Sequence, residues 1–215
     1  MSTTSRAIVT EKTYLCSDGV KLAARHWTNF DGTPSQQQHT RKILCLHGWL
    51  DNAASFNRLS TLLLDSLSSS DATAVTSTGV IPTEIVCLDF PGHGLSGHKS
   101  VDGPPQLLAE YAYYVAELVE ALQWGDGNSG NGVGVSRTAV GNIKSNTINN
   151  NGNREKGSGK QMSSSNTDND NNSNNILLVG HSMGSGVAAV LAAAFPEWFS
   201  GLVLLEGGLV ARDAR

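Results

Sequence analysis

Four short, uninterrupted apolar runs limit what this chain can fold into: Ile43-Leu44-Cys45-Leu46, Ile85-Val86-Cys87-Leu88, Ile176-Leu177-Leu178-Val179 and Leu202-Val203-Leu204-Leu205. A strand with one wet face alternates apolar and polar residues. A continuous run instead signals a strand covered on both faces, as in a parallel sheet. Segments of helical period lie between the runs. Asn52 can cap a helix carrying Phe56, Leu59 and Leu63 on one stripe. Pro104-Pro105 opens a longer helix whose apolar stripe is Leu108, Tyr111, Val115, Leu118, Val119 and Leu122. Residues 183–195 form a helix of small residues that stops before Pro196. Ahead of these, residues 7–15 and 20–27 read as two strands joined at Ser17-Asp18-Gly19, where Gly19 can supply a positive φ. The alternation predicts an α/β fold, with a mostly parallel sheet wound by right-handed crossovers, helices on its faces and an antiparallel edge from the leading strands.

Residues 125–175 break this pattern. Of these 51 residues, 14 are Asn, 9 Gly and 8 Ser. So little apolar surface cannot offset the entropy of ordering, so the segment is expected to be a disordered insertion between the long helix and the third buried strand. Loop closure costs only about 0.6 kcal/mol per doubling of length, so one domain can carry it. Deleting residues 127–173 behind a short connector is therefore expected to preserve cooperative thermal unfolding. Loss of soluble protein on deletion would show that the segment packs. Residues 66–77 look like a milder insertion of the same kind. With 215 residues and 39% apolar content, the chain is expected to form one domain.

A net charge of −4 leaves no basic stripe for nucleic acid and no polybasic patch for an anionic membrane. The balance suits a small-molecule substrate. The first 12 residues carry no signal-peptide pattern, and no apolar run approaches the roughly 20 residues of a membrane span. Cys45 and Cys87 lie inside apolar runs and read as buried, reduced thiols, and metal-ligand spacing is absent. These features point to a cytoplasmic protein that needs neither metal nor cofactor.

The chemistry concentrates at Gly180-His181-Ser182-Met183-Gly184, a G-x-S-x-G match at the junction of a buried strand and a helix. There the turn forces the serine into strained backbone geometry, while Gly180 and Gly184 relieve crowding between strand and helix. The helix N-terminus adds partial positive charge beside developing negative charge. Acyl transfer also needs donors for an oxyanion. The Met183 N–H is one candidate. The loop His47-Gly48-Trp49, after the first buried strand, offers the Trp49 N–H as the second, with Gly48 permitting a close turn. His47 is expected to hold this loop by hydrogen bonds rather than to act as base. Asp89-Phe90-Pro91-Gly92-His93-Gly94-Leu95-Ser96 is expected to be a tight structural loop on the same edge. It lacks the third glycine of a dinucleotide cradle.

These three motifs, in this order and beginning at Leu46-His47-Gly48-Trp49-Leu50-Asp51-Asn52, resemble signatures of the α/β-hydrolase superfamily. Their wording is closest to serine hydrolase-like proteins, with epoxide hydrolases and haloalkane dehalogenases as cousins. The resemblance covers about residues 13–124 and 175–208, and the Asn-rich insertion has no counterpart in it. It implies a Ser-acid-His triad in that chain order, with Ser182 as nucleophile. A serine there, where the cousins attack through a carboxylate, favours hydrolysis of an ester, thioester or amide bond in a small apolar substrate through an acyl-enzyme. Most family members place the acid after a later strand. Some place it at the end of the strand that follows the nucleophile helix, where Glu206 stands, so Glu206 is either the triad acid or a solvated strand-end carboxylate.

All six histidines, His26, His39, His47, His93, His98 and His181, lie before Ser182, whereas the family's base follows its last strand. The 215 residues are therefore expected to be an incomplete α/β-hydrolase domain lacking the last strands, the cap and the base. Such a piece would be inactive alone. The competing reading is a non-catalytic binding or interaction protein of the same fold.

Overall fold

The computed structural model describes residues 7–30, 40–68, 82–100, 102, 106–125 and 176–206. The insertion read from the sequence lies outside them except for Gly125, and so do Pro104 and Pro105.

Six strands form one sheet in the order β1-β2-β4-β3-β5-β6. Their spans are β1 Ile8–Leu15, β2 Lys21–Thr28, β3 Arg41–Leu46, β4 Thr83–Leu88, β5 Ile176–His181 and β6 Phe199–Leu205. β1 pairs antiparallel with β2, and β2 antiparallel with β4. From β4 through β3 and β5 to β6 every pairing is parallel. This is the expected mostly parallel sheet with an antiparallel edge, and Gly19 takes a φ of 87° at the β1–β2 turn.

Alternate residues of the first three apolar runs supply two different cores, so neither face of these strands can be polar. Leu44, Leu46, Val86 and Leu88 pack with Tyr111, Val115 and Leu118 of helix α2 (Leu108–Ala121) and Val187 and Leu191 of helix α3 (Met183–Ala194). Ile43, Cys45, Ile85 and Cys87 face the other way, onto Phe56 and onto Leu64 of helix α1 (Asn57–Ser68). Each fully buried side chain of this size contributes about 1.5–3 kcal/mol.

Four expectations change in detail. Asn52 caps not the helix that carries Leu59 and Leu63 but a 3-10 turn, Ala53–Phe56, its side chain accepting the Ala54 N–H, and α1 begins only at Asn57. The proline pair does not open α2, which starts at Leu108 with the Glu110 carboxylate accepting the Leu107 N–H at 3.2 Å. The fourth apolar run is not buried on both faces. Among the described residues β6 pairs only with β5, and Leu202 to Leu205 remain 36–40% exposed. Gly125, read as the start of the insertion, is buried, and a Cβ there would meet the Trp198 ring at 3.1 Å.

Candidate active site

Because β3, β4, β5 and β6 run parallel, their carboxyl ends share one sheet edge, and every motif residue sits there. Ser182 follows β5 and opens α3 with φ 51° and ψ −115°. That is left-handed territory, which a non-glycine residue occupies only when its surroundings enforce it, at about 1–3 kcal/mol. Two contacts enforce it. The Ser182 N–H donates to the Leu205 carbonyl at 2.9 Å. The Ser185 hydroxyl, one turn into α3, donates to the Gly180 carbonyl at 2.7 Å and lies 3.1 Å from the Leu205 carbonyl oxygen.

The flanking glycines sit where no side chain fits. A Cβ on Gly180 would stand 2.5 Å from the Gly184 oxygen, and one on Gly184 would collide with the Leu46 carbonyl oxygen. Helix and strand backbones therefore touch directly, which leaves the Ser182 side chain exposed above the edge.

The loop after β3 lies against Ser182. A Cβ on Gly48 would meet the Ser182 Cβ at 3.3 Å and His181 Nδ1 at 3.2 Å. This brings the Gly48 backbone, next in sequence to the Trp49 N–H, against Ser182 and His181. Trp49 itself is 61% exposed, its ring edge-on to His93.

His47 is fully buried, and both its ring nitrogens are engaged. Nε2 accepts the Phe90 N–H at 3.0 Å, so Nδ1 must carry the proton, and it donates to the Gly48 carbonyl at 2.7 Å. The imidazole thus ties the loop after β3 to the loop after β4. Burial pushes its pKa below the ordinary value, helped by His93 and opposed by the Gly48 carbonyl. Above the unfolded value of about 6.5 both states are neutral and stability is complete. As pH falls below that, the unfolded chain takes the proton first and stability is lost. His47→Gln can keep one donor and one acceptor without titrating. Its urea midpoint is therefore expected to be lower at pH 7.5, yet flatter than wild type between pH 6.5 and 5.

Sequence reasoning passed over Asp89, which organises the second loop. Its carboxylate accepts the Ala53 N–H at 2.6 Å and the Leu95 N–H at 2.8 Å, and its carbonyl accepts the Ser96 hydroxyl at 2.6 Å. A Cβ on Gly94 would strike that carboxylate, and Gly94 has φ 52°. The available signal was an acidic residue at a strand end beside a glycine-rich turn.

Glu206, at φ 53°, ends β6 with its side chain 84% exposed, and its Oε2 stands 3.5 Å from His181 Nε2. His181, immediately before Ser182, is therefore held between Glu206 and Gly48. Among the described residues no three His, Cys, Asp or Glu side chains cluster as metal ligands, and no helix is long and apolar enough to cross a membrane.

Known proteins with similar sequences or structures share this arrangement's fold. A serine hydrolase-like protein of Danio rerio is 28% identical over 183 residues, covering 84% of this chain and 35% of that protein. A serine hydrolase-like protein of Homo sapiens is 37% identical over 105 residues, 48% of this chain and 38% of that protein. The chain thus spans just over a third of the length of these relatives. The crystal structure of a hypothetical protein from Pseudomonas aeruginosa PAO1 superposes with a TM-score of 0.51 at 27% identity, covering 92% of this chain and 43% of that one. The model of the alpha/beta hydrolase family matches residues 43–215, from β3 through Ser182 and β6 onward. With that match running over most of the chain, and a mostly parallel sheet flanked by helices beneath it, the chain belongs to the alpha/beta hydrolase family.

Proposed function

We propose that the protein is a serine hydrolase that cleaves an ester, thioester or amide bond in a small, largely apolar molecule. The backbone of Ser182 carries the proposal: a strained, exposed serine at a helix N-terminus has a structural cost that a mere strand-to-helix turn has no reason to bear. In the mechanism, Ser182 Oγ attacks the carbonyl carbon. The oxygen that becomes negative is received by the N–H groups of Met183 and Trp49, while the alcohol, thiol or amine leaves with a proton. Water then releases the acid from the acyl-enzyme. The proton passes through a histidine that, in the family's order, follows the nucleophile and lies beyond the region spanned here.

Glu206 remains the candidate acid within the chain. Glu206→Gln separates its two roles in the full-length protein. Loss of about 10⁴-fold in kcat marks a triad acid, whereas a change below about tenfold, with solubility intact, marks a carboxylate that only accompanies His181. Hydrolysis of p-nitrophenyl acetate and of a short acyl thioester by full-length protein tests the function itself. Turnover that depends on Ser182 supports it, and bound but unhydrolysed esters would favour a binding protein of the same fold. Buried thiols at Cys45 and Cys87 suit a reducing compartment, so the cytoplasm is the proposed location.

A further inference from the structure

The segment that carries the second proposed oxyanion donor has no support of its own. Trp49 and Leu50 lie between Gly48, which touches Ser182, and Ala53, where the 3-10 turn begins. Among the described residues neither the Trp49 N–H nor the Leu50 N–H makes a hydrogen bond. Both side chains are exposed, so core packing does not hold them either. Leu50 nevertheless takes a φ of 55°, left-handed territory that a leucine occupies only when its surroundings impose it. A free donor in a strained, exposed turn keeps its place only if both ends of the turn are fixed.

The front end is fixed by β3 and by His47, which bonds to the Phe90 N–H and the Gly48 carbonyl. Asp89 fixes the back end. Its Oδ1 accepts the Ala53 N–H at 2.6 Å and its Oδ2 the Leu95 N–H at 2.8 Å, so the carboxylate cannot turn without losing a bond. The Asp89 backbone is in turn locked to β2. Its N–H donates to the Ala23 carbonyl at 2.9 Å, and its carbonyl accepts the Ser96 hydroxyl at 2.6 Å. The same Ser96 oxygen accepts the Ala23 N–H at 2.8 Å. Asp89 is buried, so water does not compete for the Ala53 bond. Gly94 alone leaves the carboxylate room, because a Cβ there would strike it.

We propose that Asp89 is a positioning residue for the reaction: through Ala53 it holds the Trp49 N–H where the carbonyl oxygen of the substrate becomes negative. The inference rests on the hydrolase proposal and adds the residue that sets the strength of one oxyanion donor. A displaced N–H still lets substrate bind, but it receives the developing charge poorly. The loss therefore falls on kcat and spares KM. A residue that merely supported the fold would lower the melting temperature and the amount of active protein. It would not alter how the site treats the carbonyl oxygen.

The test compares p-nitrophenyl acetate with p-nitrophenyl thionoacetate, in which C=S replaces C=O, on full-length protein whose active sites are counted by fluorophosphonate titration. Sulfur is a larger and weaker acceptor than oxygen, so the ratio of the two kcat/KM values reports the oxyanion donors. Outright loss of a donor costs about 10²–10³ in kcat. Asp89→Ala should lower kcat for the oxygen ester about ten- to a hundredfold, keep KM within about twofold and shrink the oxygen-to-sulfur ratio at least about fivefold. Asp89→Asn, whose one oxygen can serve only Ala53 or Leu95, should fall between Asp89→Ala and wild type. Gly94→Ala, which pushes the carboxylate off Ala53, should move the ratio the same way, and it serves where Asp89→Ala does not fold. Glu117→Ala is the control. That buried carboxylate accepts the Ser17 N–H at 3.0 Å and the Tyr113 hydroxyl at 2.8 Å, away from the loop after β3. Its loss should lower the Tm and leave kcat per active site and the ratio as in wild type. An unchanged ratio in both Asp89→Ala and Gly94→Ala, or an equal change in Glu117→Ala, would overturn the proposal. Wild-type turnover that does not depend on Ser182 would instead overturn the hydrolase proposal, and this inference with it.

Discussion

Ser182→Ala in the full-length protein is expected to abolish labelling by a fluorophosphonate probe and to lower ester turnover by about 10⁴-fold or more, as removal of a nucleophile does in serine hydrolases. Labelling forms a bond from Ser182 Oγ to phosphorus with loss of fluoride, so it reports the same attack that hydrolysis needs. The strained backbone adds a second readout. With φ 51° and ψ −115°, Ser182 occupies a conformation that alanine shares at similar cost. Glycine relieves it. Ser182→Gly should therefore raise stability by about 1 kcal/mol while losing labelling as completely as the alanine variant. A gain in stability with a loss of function is the pattern of a residue held in place for chemistry. Labelling that persists at another serine in Ser182→Ala would sink the assignment of the nucleophile. A glycine variant less stable than wild type would show that the strain inferred from the backbone is not stored there.

The sheet was legible because its signal is redundant. Each of the first three apolar runs feeds two cores, as β3 does through Leu44 and Leu46 on one face and Ile43 and Cys45 on the other. The strained turn at Ser182 was legible because Gly180, Ser182 and Gly184 sit at a strand-to-helix junction that the flanking periodicities locate independently. Other features resist reading because they are contacts between residues far apart in sequence. Asp89 reaches Ala53 across 36 positions, and His47 reaches Phe90 across 43. Neither spacing leaves a local pattern. The hydrogen bonds of His26 to Tyr14 and Glu84 depend on strand register, with His26 facing Val86 and Thr28 facing Glu84 across an antiparallel pair. Register is fixed by the assembled sheet and not by any one strand. The start of α2 was misplaced for a related reason. A proline pair marks where a helix can begin, but the Glu110 side chain, bonded to both the Leu107 N–H and Lys99, marks where this one does. The fourth run shows the opposite limit. Its composition expresses what β6 is suited to bury, and the described elements do not bury it.

Two glycines in α3, two residues apart, should respond to alanine with opposite signs. Gly184 lies where the helix start presses on β3. A Cβ there would collide with the Leu46 carbonyl oxygen and stand 2.6 Å from that of His47. Both obstacles are backbone in the middle of the sheet, so neither can swing away as a side chain could. Accommodating the methyl means pushing α3 off β3, which opens the packing of Val187 and Leu191 against Leu44 and Leu46. Overpacking of this kind costs about 1–3 kcal/mol or more, and the upper end is expected here because strand and helix must both move. The same shift carries the Met183 N–H away from the Gly48–Trp49 backbone, so activity should fall further than stability alone explains. Gly186 is also helical, but a Cβ there would meet only Leu108 Cδ1 at 3.4 Å, an ordinary contact with a movable side chain. Alanine removes backbone entropy from the unfolded chain and favours the helix by roughly 0.4–1 kcal/mol. Gly186→Ala should therefore raise the Tm and keep fluorophosphonate labelling at Ser182, whereas Gly184→Ala should lower the Tm by many degrees and weaken labelling in the folded fraction. Equal melting temperatures for the two variants would mean that helix and strand do not touch at Gly184, and the strain on Ser182 would then have no wall to hold it.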